Sequence, residues 1–211
     1  MSLDETQRRL DQYFAEKLRE HGPTARGVDY NSDEAQQRRF EQLTKVIRAG
    51  ESFSILDYGC GYGAMFEFLL KKGLDFEYHG LDRIEAMVRT GREKYGRHGN
   101  AHFHSDESTV PPVDYLVAGA IFNIKLEATL NDWREFVCES LRHMITLCTR
   151  GLAFNMLTSY SDADRMAKRP DLFYADPLFF FDFCKRNLAP NVALLHDYGL
   201  FDFTILVRKD L

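Results

Sequence analysis

The spacing of apolar residues changes along the chain, and the changes mark out its elements. Between Leu3 and Glu20, the residues Leu10, Tyr13, Phe14 and Leu18 recur at helical spacing, and Gly22-Pro23 stops the run. Asn31, with Glu34 three residues on, fits a capping box opening a second helix. Its stripe is Phe40, Leu43, Val46 and Ile47, ended by Gly50. From Phe53 the rhythm shortens. Residues 53–57, FSILD, read as a buried strand, 64–72 as a helix stopped by Gly73, and 76–82 as a second strand. A helix over 84–95 follows despite its internal Gly91, then a third strand over 101–106. Pro111-Pro112 breaks the chain before a fourth strand at 113–120.

Trp133, Phe136, Val137, Leu141, Met144 and Ile145 give 132–148 one apolar face. A fifth strand covers 151–158, and a polar loop runs to Pro177. A short apolar helix at 178–187 precedes strands at 192–198 and 201–209, joined at Gly199-Leu200 as in a hairpin. Strands alternating with helices predict a parallel α/β sheet, and the hairpin predicts an antiparallel last strand.

Composition narrows the class. The 211 residues are 45% hydrophobic and 28% charged, with net charge −5, as in a globular chain of about one domain. That balance gives no support to a nucleic-acid partner. No apolar run is long enough to span a bilayer. The opening MSLDETQRRLDQYF is too polar for a signal peptide, and Cys60, Cys138, Cys148 and Cys184 form no C-x-x-C pair. A cytoplasmic protein with reduced thiols is therefore expected. His102 and His104 would share one strand face, but no third ligand lies near them, so no metal site is expected.

The informative stretch is 54-SILDYGCGYGAM-65, where Gly59, Gly61 and Gly63 follow Asp57 at the end of the first strand. Glycines there allow a tight turn and bring a ligand close to the backbone at a helix start. A plain turn would explain the glycines alone. However, Asp82 and Asp106 end the next two strands, so three carboxylates gather at one rim of the sheet. Like charges repel, so a ligand needing acceptors is expected there, with Asp82 suited to ribose hydroxyls. A nicotinamide dinucleotide site competes, since Gly59-x-Gly61-x-x-Ala64 fits its fingerprint. The terminal hairpin and the lack of a second βαβ half weigh against it.

With these residues in place, 57-DYGCGYG-63 resembles the acid-x-Gly-x-Gly-x-Gly loop of class I S-adenosylmethionine-dependent methyltransferases. The likeness takes in Asp82, Asp106, 118-AGAIFN-123 and the closing hairpin, over roughly residues 50 to 209. It implies a Rossmann-like, doubly wound sheet of seven strands in the order 3-2-1-4-5-7-6, strand 7 antiparallel. Residues 51–211 would form this domain and residues 1–50 a helical cap. It implies S-adenosyl-L-methionine as cofactor. Gly59, Gly61 and Gly63 would shape the loop beneath it, and Asp57 would reach the methionine ammonium. Asp82 would hold the ribose, and Asp106 the adenine amino group with Glu107 nearby. Arg83 and Met87 would flank the adenine, and Ala118 and Gly119 would line the methionine side. Tyr30 and Arg39 of the cap could reach the methionine carboxylate.

The acceptor is narrowed only by absences. The chain lacks an Asn/Asp-Pro-Pro-aromatic motif, a Pro-Cys nucleophile, paired glutamates near Glu127 and any acid at 118–123. Metal-independent transfer to a small molecule is left. Phe122, Asn123, Tyr160, Arg165, Phe173 and Tyr174 are candidates for its pocket, the last four in a lid-like loop over 159–177. Asn123 and His196 are the candidates for a catalytic role. A non-catalytic cofactor-binding module that recognises a protein partner, and a nicotinamide oxidoreductase, are the alternatives.

Overall fold

A computed structural model describes residues 3–209. Its seven strands are β1 (Phe53–Tyr58), β2 (Phe76–Leu81), β3 (Ala101–His104), β4 (Val113–Gly119), β5 (Cys148–Leu157), β6 (Asn191–Leu195) and β7 (Asp202–Arg208). They form one sheet in the order β3-β2-β1-β4-β5-β7-β6. The first five are parallel, and β7 is antiparallel to both β5 and β6. This is the expected architecture, a Rossmann-like seven-stranded sheet. Parallel strands place all their carboxyl ends on one rim, where ligand sites of such sheets lie.

Among the described residues, seven α-helices accompany the sheet: α1 (Leu3–His21), α2 (Asp33–Leu43), α3 (Ala64–Lys71), α4 (Glu85–Tyr95), α5 (Leu130–Met144), α6 (Ala163–Lys168) and α7 (Pro177–Asn187). One face of the sheet packs on α2, α3 and α4, through Phe40, Leu43, Phe66, Leu69, Val88 and Tyr95 against Ile55, Tyr78 and Tyr115. The other face packs on α5 and α7, through Trp133, Leu141 and Phe180 against Leu56, Leu116 and Phe154. The glycine inside α4 has a packing reason. A Cβ on Gly91 would stand 2.4 Å from the Phe103 ring, so the helix can lie this close to β3 only without one. None of the described helices is long and apolar enough to cross a membrane.

Several boundaries differ from the sequence expectation. The cap of α2 is Ser32 rather than Asn31. Ser32 Oγ accepts from the Ala35 N–H at 3.1 Å, which leaves Glu34 in the first turn and makes no capping box. Helix α5 starts earlier than expected because Thr129 caps it, accepting from the Asp132 N–H. Strand β5 starts at Cys148, since an irregularity between Val113 and Tyr115 lets β4 pair that far back. Strand β3 stops at His104. Asp106 caps a 3₁₀ turn over Glu107–Thr109 instead of ending the strand. The loop over 159–177 contains α6, and β6 ends at Leu195 rather than Tyr198, lengthening the hairpin connection.

Candidate active site

The glycine loop leaves β1 at the carboxyl rim. The N–H groups of Gly59 and Cys60 both donate to Leu81 O, at 2.8 and 3.0 Å, pinning the loop to the end of β2. Gly59 and Gly61 have φ of +77° and +55°, which L side chains rarely adopt. A Cβ would meet Ile121 Cγ2 at 2.5 Å on Gly59, and Val28 Cγ1 at 2.7 Å on Gly61. Gly63 differs: it caps α3 and lies against the Phe103 ring, so it serves helix–sheet packing.

Two carboxylates flank the loop, and one of them, Asp82, bonds to it. Asp57, buried inside β1, accepts from the Tyr78 hydroxyl at 2.9 Å. Burial pushes its carboxyl up to about 7; the Tyr78 bond opposes this and nearby Asp82 adds to it. Asp82 follows β2. Its Oδ2 accepts from Gly61 N–H at 2.8 Å and its Oδ1 from Ile84 N–H at 2.9 Å. Burial raises its carboxyl too, against the pull of those two N–H groups.

A cavity of about 590 Å³ opens above these residues, within the range of about 300–1,000 Å³ common to small-molecule sites. Gly59, Gly61, Asp82, Arg83, Met87, Glu107, Gly119 and Phe122 all line it. Helix α1 covers it with Leu3, Asp4, Gln7, Leu10, Asp11 and Phe14, and α5 closes one side with Trp133, Phe136, Ser140 and Met144. Arg83 reaches up to α1, pairing with Asp11 at 3.1 Å and donating to Gln7. Glu107 is held by His143 Nε2 at 2.7 Å and by Tyr58, whose phenol burial and Glu107 push up to about 12.

Asp106 is not among the lining residues. Its exposed carboxylate is engaged by the Ser108 N–H at 2.9 Å, which holds it below the usual range. Ala118 is fully buried in β4, behind the wall formed by Gly119. Ala120 follows at φ +60°, held by its N–H donating to Asn155 Oδ1 at 3.0 Å. Tyr30 and Arg39 lie beside Gly119 rather than on the cavity lining. The Tyr30 hydroxyl donates to Gly119 O at 3.4 Å, and the Arg39 guanidinium sits 5.1 Å from the Tyr30 ring centre.

This cradle fits a nucleoside-bearing ligand: close backbone approach at two glycines, a carboxylate aimed at the rim and apolar walls. Comparison with known proteins agrees. The family model described as "Methyltransferase domain" matches residues 55–145. "Putative methyltransferase Rv1506c" of Mycobacterium tuberculosis (strain ATCC 25618 / H37Rv) is 44% identical over 165 residues, covering 78% of this chain and 98% of that protein. The chain belongs to the class I S-adenosylmethionine-dependent methyltransferases. Its methyl donor is the family's cofactor, S-adenosylmethionine, and it is a transferase.

The fold of this methyltransferase is shared with solved structures at low identity. The magnesium protoporphyrin IX methyltransferase of Synechocystis PCC 6803 with bound SAH is 11% identical at TM-score 0.65, covering 97% of this chain and all of that one. The N-methyltransferase NodS of Bradyrhizobium japonicum WM9, in complex with S-adenosyl-L-homocysteine, is 14% identical at TM-score 0.63, covering 93% and 96%.

The other candidates from the sequence are placed away from the methyltransferase's cavity lining. Asn123 Oδ1 accepts from Leu157 N–H at 3.0 Å, so its side chain braces the end of β5. Exposed Tyr160 stands against the His196 ring at 5.7 Å, and Arg165 lies over Phe201 at 4.3 Å. Phe173 is core, edge-on to Phe180, and the Tyr174 hydroxyl is buried without a hydrogen-bond partner among the described residues. The wall residues of α5 and α1 were not singled out for the site. Trp133, Phe136 and Met144 showed only an apolar stripe, which reads the same whether it faces a sheet or a cavity.

Proposed function

We propose that this methyltransferase transfers its methyl group to an uncharged, largely apolar small molecule, by metal-independent in-line displacement. One observation carries the reading: the sign and polarity of the cavity walls. Leu10, Phe14, Val28, Ile121, Phe122 and Phe136 supply an apolar surface. Among the described lining residues, the acids Asp4, Asp11, Asp82 and Glu107 outnumber the single cation, Arg83, which pairs with Asp11. Those acids suit a cofactor carrying a sulfonium and an ammonium. They would repel an anionic acceptor.

Bound S-adenosylmethionine supplies a methyl already activated by positive sulfur, so the protein's task is positioning and exclusion of water. In this reading Asp82 accepts from the ribose hydroxyls, using lone pairs left free by Gly61 and Ile84. Asp57 and the Gly119 carbonyl accept from the methionine ammonium, and Arg39 meets its carboxylate. Glu107, rather than Asp106, faces the adenine end. Residues 1–50 act as the cap, with α1 shielding the transfer from solvent. The relatives solved with the demethylated cofactor bound support the cofactor part of this reading.

The test is product formation. The protein is incubated with S-adenosylmethionine and two acceptor sets, apolar phenols or amines and their carboxylated or phosphorylated counterparts. Release of S-adenosylhomocysteine is followed by chromatography. Turnover confined to uncharged members is expected; turnover confined to anionic ones would contradict the proposal.

A further inference from the structure

The rim beyond Gly119 holds a buried charge pair. Arg39 on α2 pairs with Asp202, the first residue of β7, and the two side chains are 10% and 0% exposed. Burying such a pair does little for net stability, because desolvating both ions offsets most of their attraction. An apolar pair would connect α2 to β7 as well, so the charges call for a reason other than stability.

The surroundings supply one. Arg39 donates Nη1 to Ala35 O at 3.0 Å and turns its Nε edge to Asp202. No hydrogen bond is made by its Nη2 among the described residues. Its flat face lies on the Tyr30 ring, whose hydroxyl meets Gly119 O on the cavity wall. Tyr30 lies within electrostatic reach of Asp57 and Asp202 as well as Arg39. A line of buried polar groups thus crosses the rim, from Asp57 through the Tyr30 hydroxyl to the Arg39–Asp202 pair. The amino-acid end of the cofactor is a zwitterion. Asp57 and Gly119 O suit its ammonium. Its carboxylate needs a cation, and Arg83 is already engaged by Asp11 on the other side.

We propose that Asp202 is a positioning residue: it fixes the Arg39 guanidinium so that its remaining N–H edge meets the carboxylate of the cofactor's methionine moiety. Asp202 does not touch the cofactor. It occupies the Nε edge and stops Arg39 from swinging toward solvent, where the guanidinium would bind the carboxylate no better than water does. The inference rests on the cofactor placement proposed above.

Two probes separate the claims. S-adenosylhomocysteine carries the amino-acid end, and 5′-methylthioadenosine lacks it. Calorimetry of Asp202→Asn should show S-adenosylhomocysteine binding weakened about tenfold or more, with 5′-methylthioadenosine binding unchanged. Asp202→Glu should recover part of the loss. Arg39→Gln should show the same selectivity, and the double variant should bind about as well as either single one, since both act on one contact. Equal weakening of both probes would make Asp202 merely structural and overturn the proposal; so would no weakening of either. Failure of the unaltered protein to bind either probe would instead overturn the placement on which the proposal rests.

Discussion

Gly61 donates its backbone N–H to Asp82 Oδ2 at 2.8 Å, tying the glycine loop after β1 to the carboxylate after β2. The second oxygen of Asp82 is held by the Ile84 N–H. The carboxylate therefore cannot rotate, and the lone pairs it presents to the cavity are fixed before any ligand arrives. Each such hydrogen bond to a charged group contributes about 1.5–3 kcal/mol. The bond also depends on the loop conformation, which only a residue tolerating φ of +55° can hold.

Replacing Gly61 should therefore disturb both the loop and the acid. In Gly61→Ala the new Cβ meets Val28 Cγ1 at 2.7 Å in a strained backbone conformation. A loss of about 1–3 kcal/mol in stability is expected, with cofactor affinity reduced about tenfold or more. Urea denaturation and calorimetry measure the two effects. Wild-type values for both would show the loop to be a plain turn.

Asp57 makes the binding pH-dependent. Its carboxyl titrates at about 7 in the folded protein, against 3.8 ordinarily. The fold holds this proton more tightly than the unfolded chain does. Its contribution to stability is thus present below about pH 4 and is lost as pH rises toward 7. A bound ammonium needs the carboxylate, so affinity should run the other way. Binding at pH 6 should be about tenfold weaker than at pH 8, with proton uptake or release visible by calorimetry in buffers of different ionisation heat. Asp57→Asn should flatten the profile; a profile as steep in the variant would assign the proton elsewhere.

Glu107 and Asp106 differ in which way they face. Glu107 lines the cavity, fixed by Tyr58 and His143, while Asp106 caps its own turn. Glu107→Ala should weaken the cofactor by about tenfold. Asp106→Ala should lower stability slightly, as for a lost cap on an exposed turn, with little change in affinity. The reverse pattern would return the adenine role to Asp106.

The edge of the sheet carries an acid-sensitive histidine pair. His79 Nδ1 lies 3.2 Å from His104 Nε2, with His102 stacked alongside. Burial, with the two neighbouring histidines, lowers His79 to about 4, and His104 is lowered as well. The unfolded chain takes up these protons first. Stability should fall as pH drops from about 6.5 toward 4 and level off below. His79→Gln should lose less between pH 7.5 and 5 in urea midpoints. An equal loss would place the acid sensitivity elsewhere.

How far the site could be read in advance depended on whether a residue's role is local. Asp57 and Asp82 were legible because strand, glycine loop and helix follow one another directly, so spacing alone sets them at the carboxyl rim. Asp106 was assigned to the ligand because a strand end was placed two residues late. There a one-residue difference decides which of two adjacent acids faces the cavity. The partnership of Arg39 with Asp202 has no local signal at all. It exists only because α2 packs beside the start of β7, a consequence of sheet order and helix docking. The acceptor candidates in 159–177 lie off the cavity lining for a related reason: loop composition shows polarity, and not direction.

The cradle's central role is tested most directly by titrating S-adenosylmethionine into the unaltered protein and into Asp82→Ala by calorimetry, with circular dichroism as the check on folding. The account expects one site of micromolar-range affinity in the first, and an affinity at least about tenfold weaker in the second, with the fold unchanged. No binding to the unaltered protein, or equal affinity in the two, would contradict it.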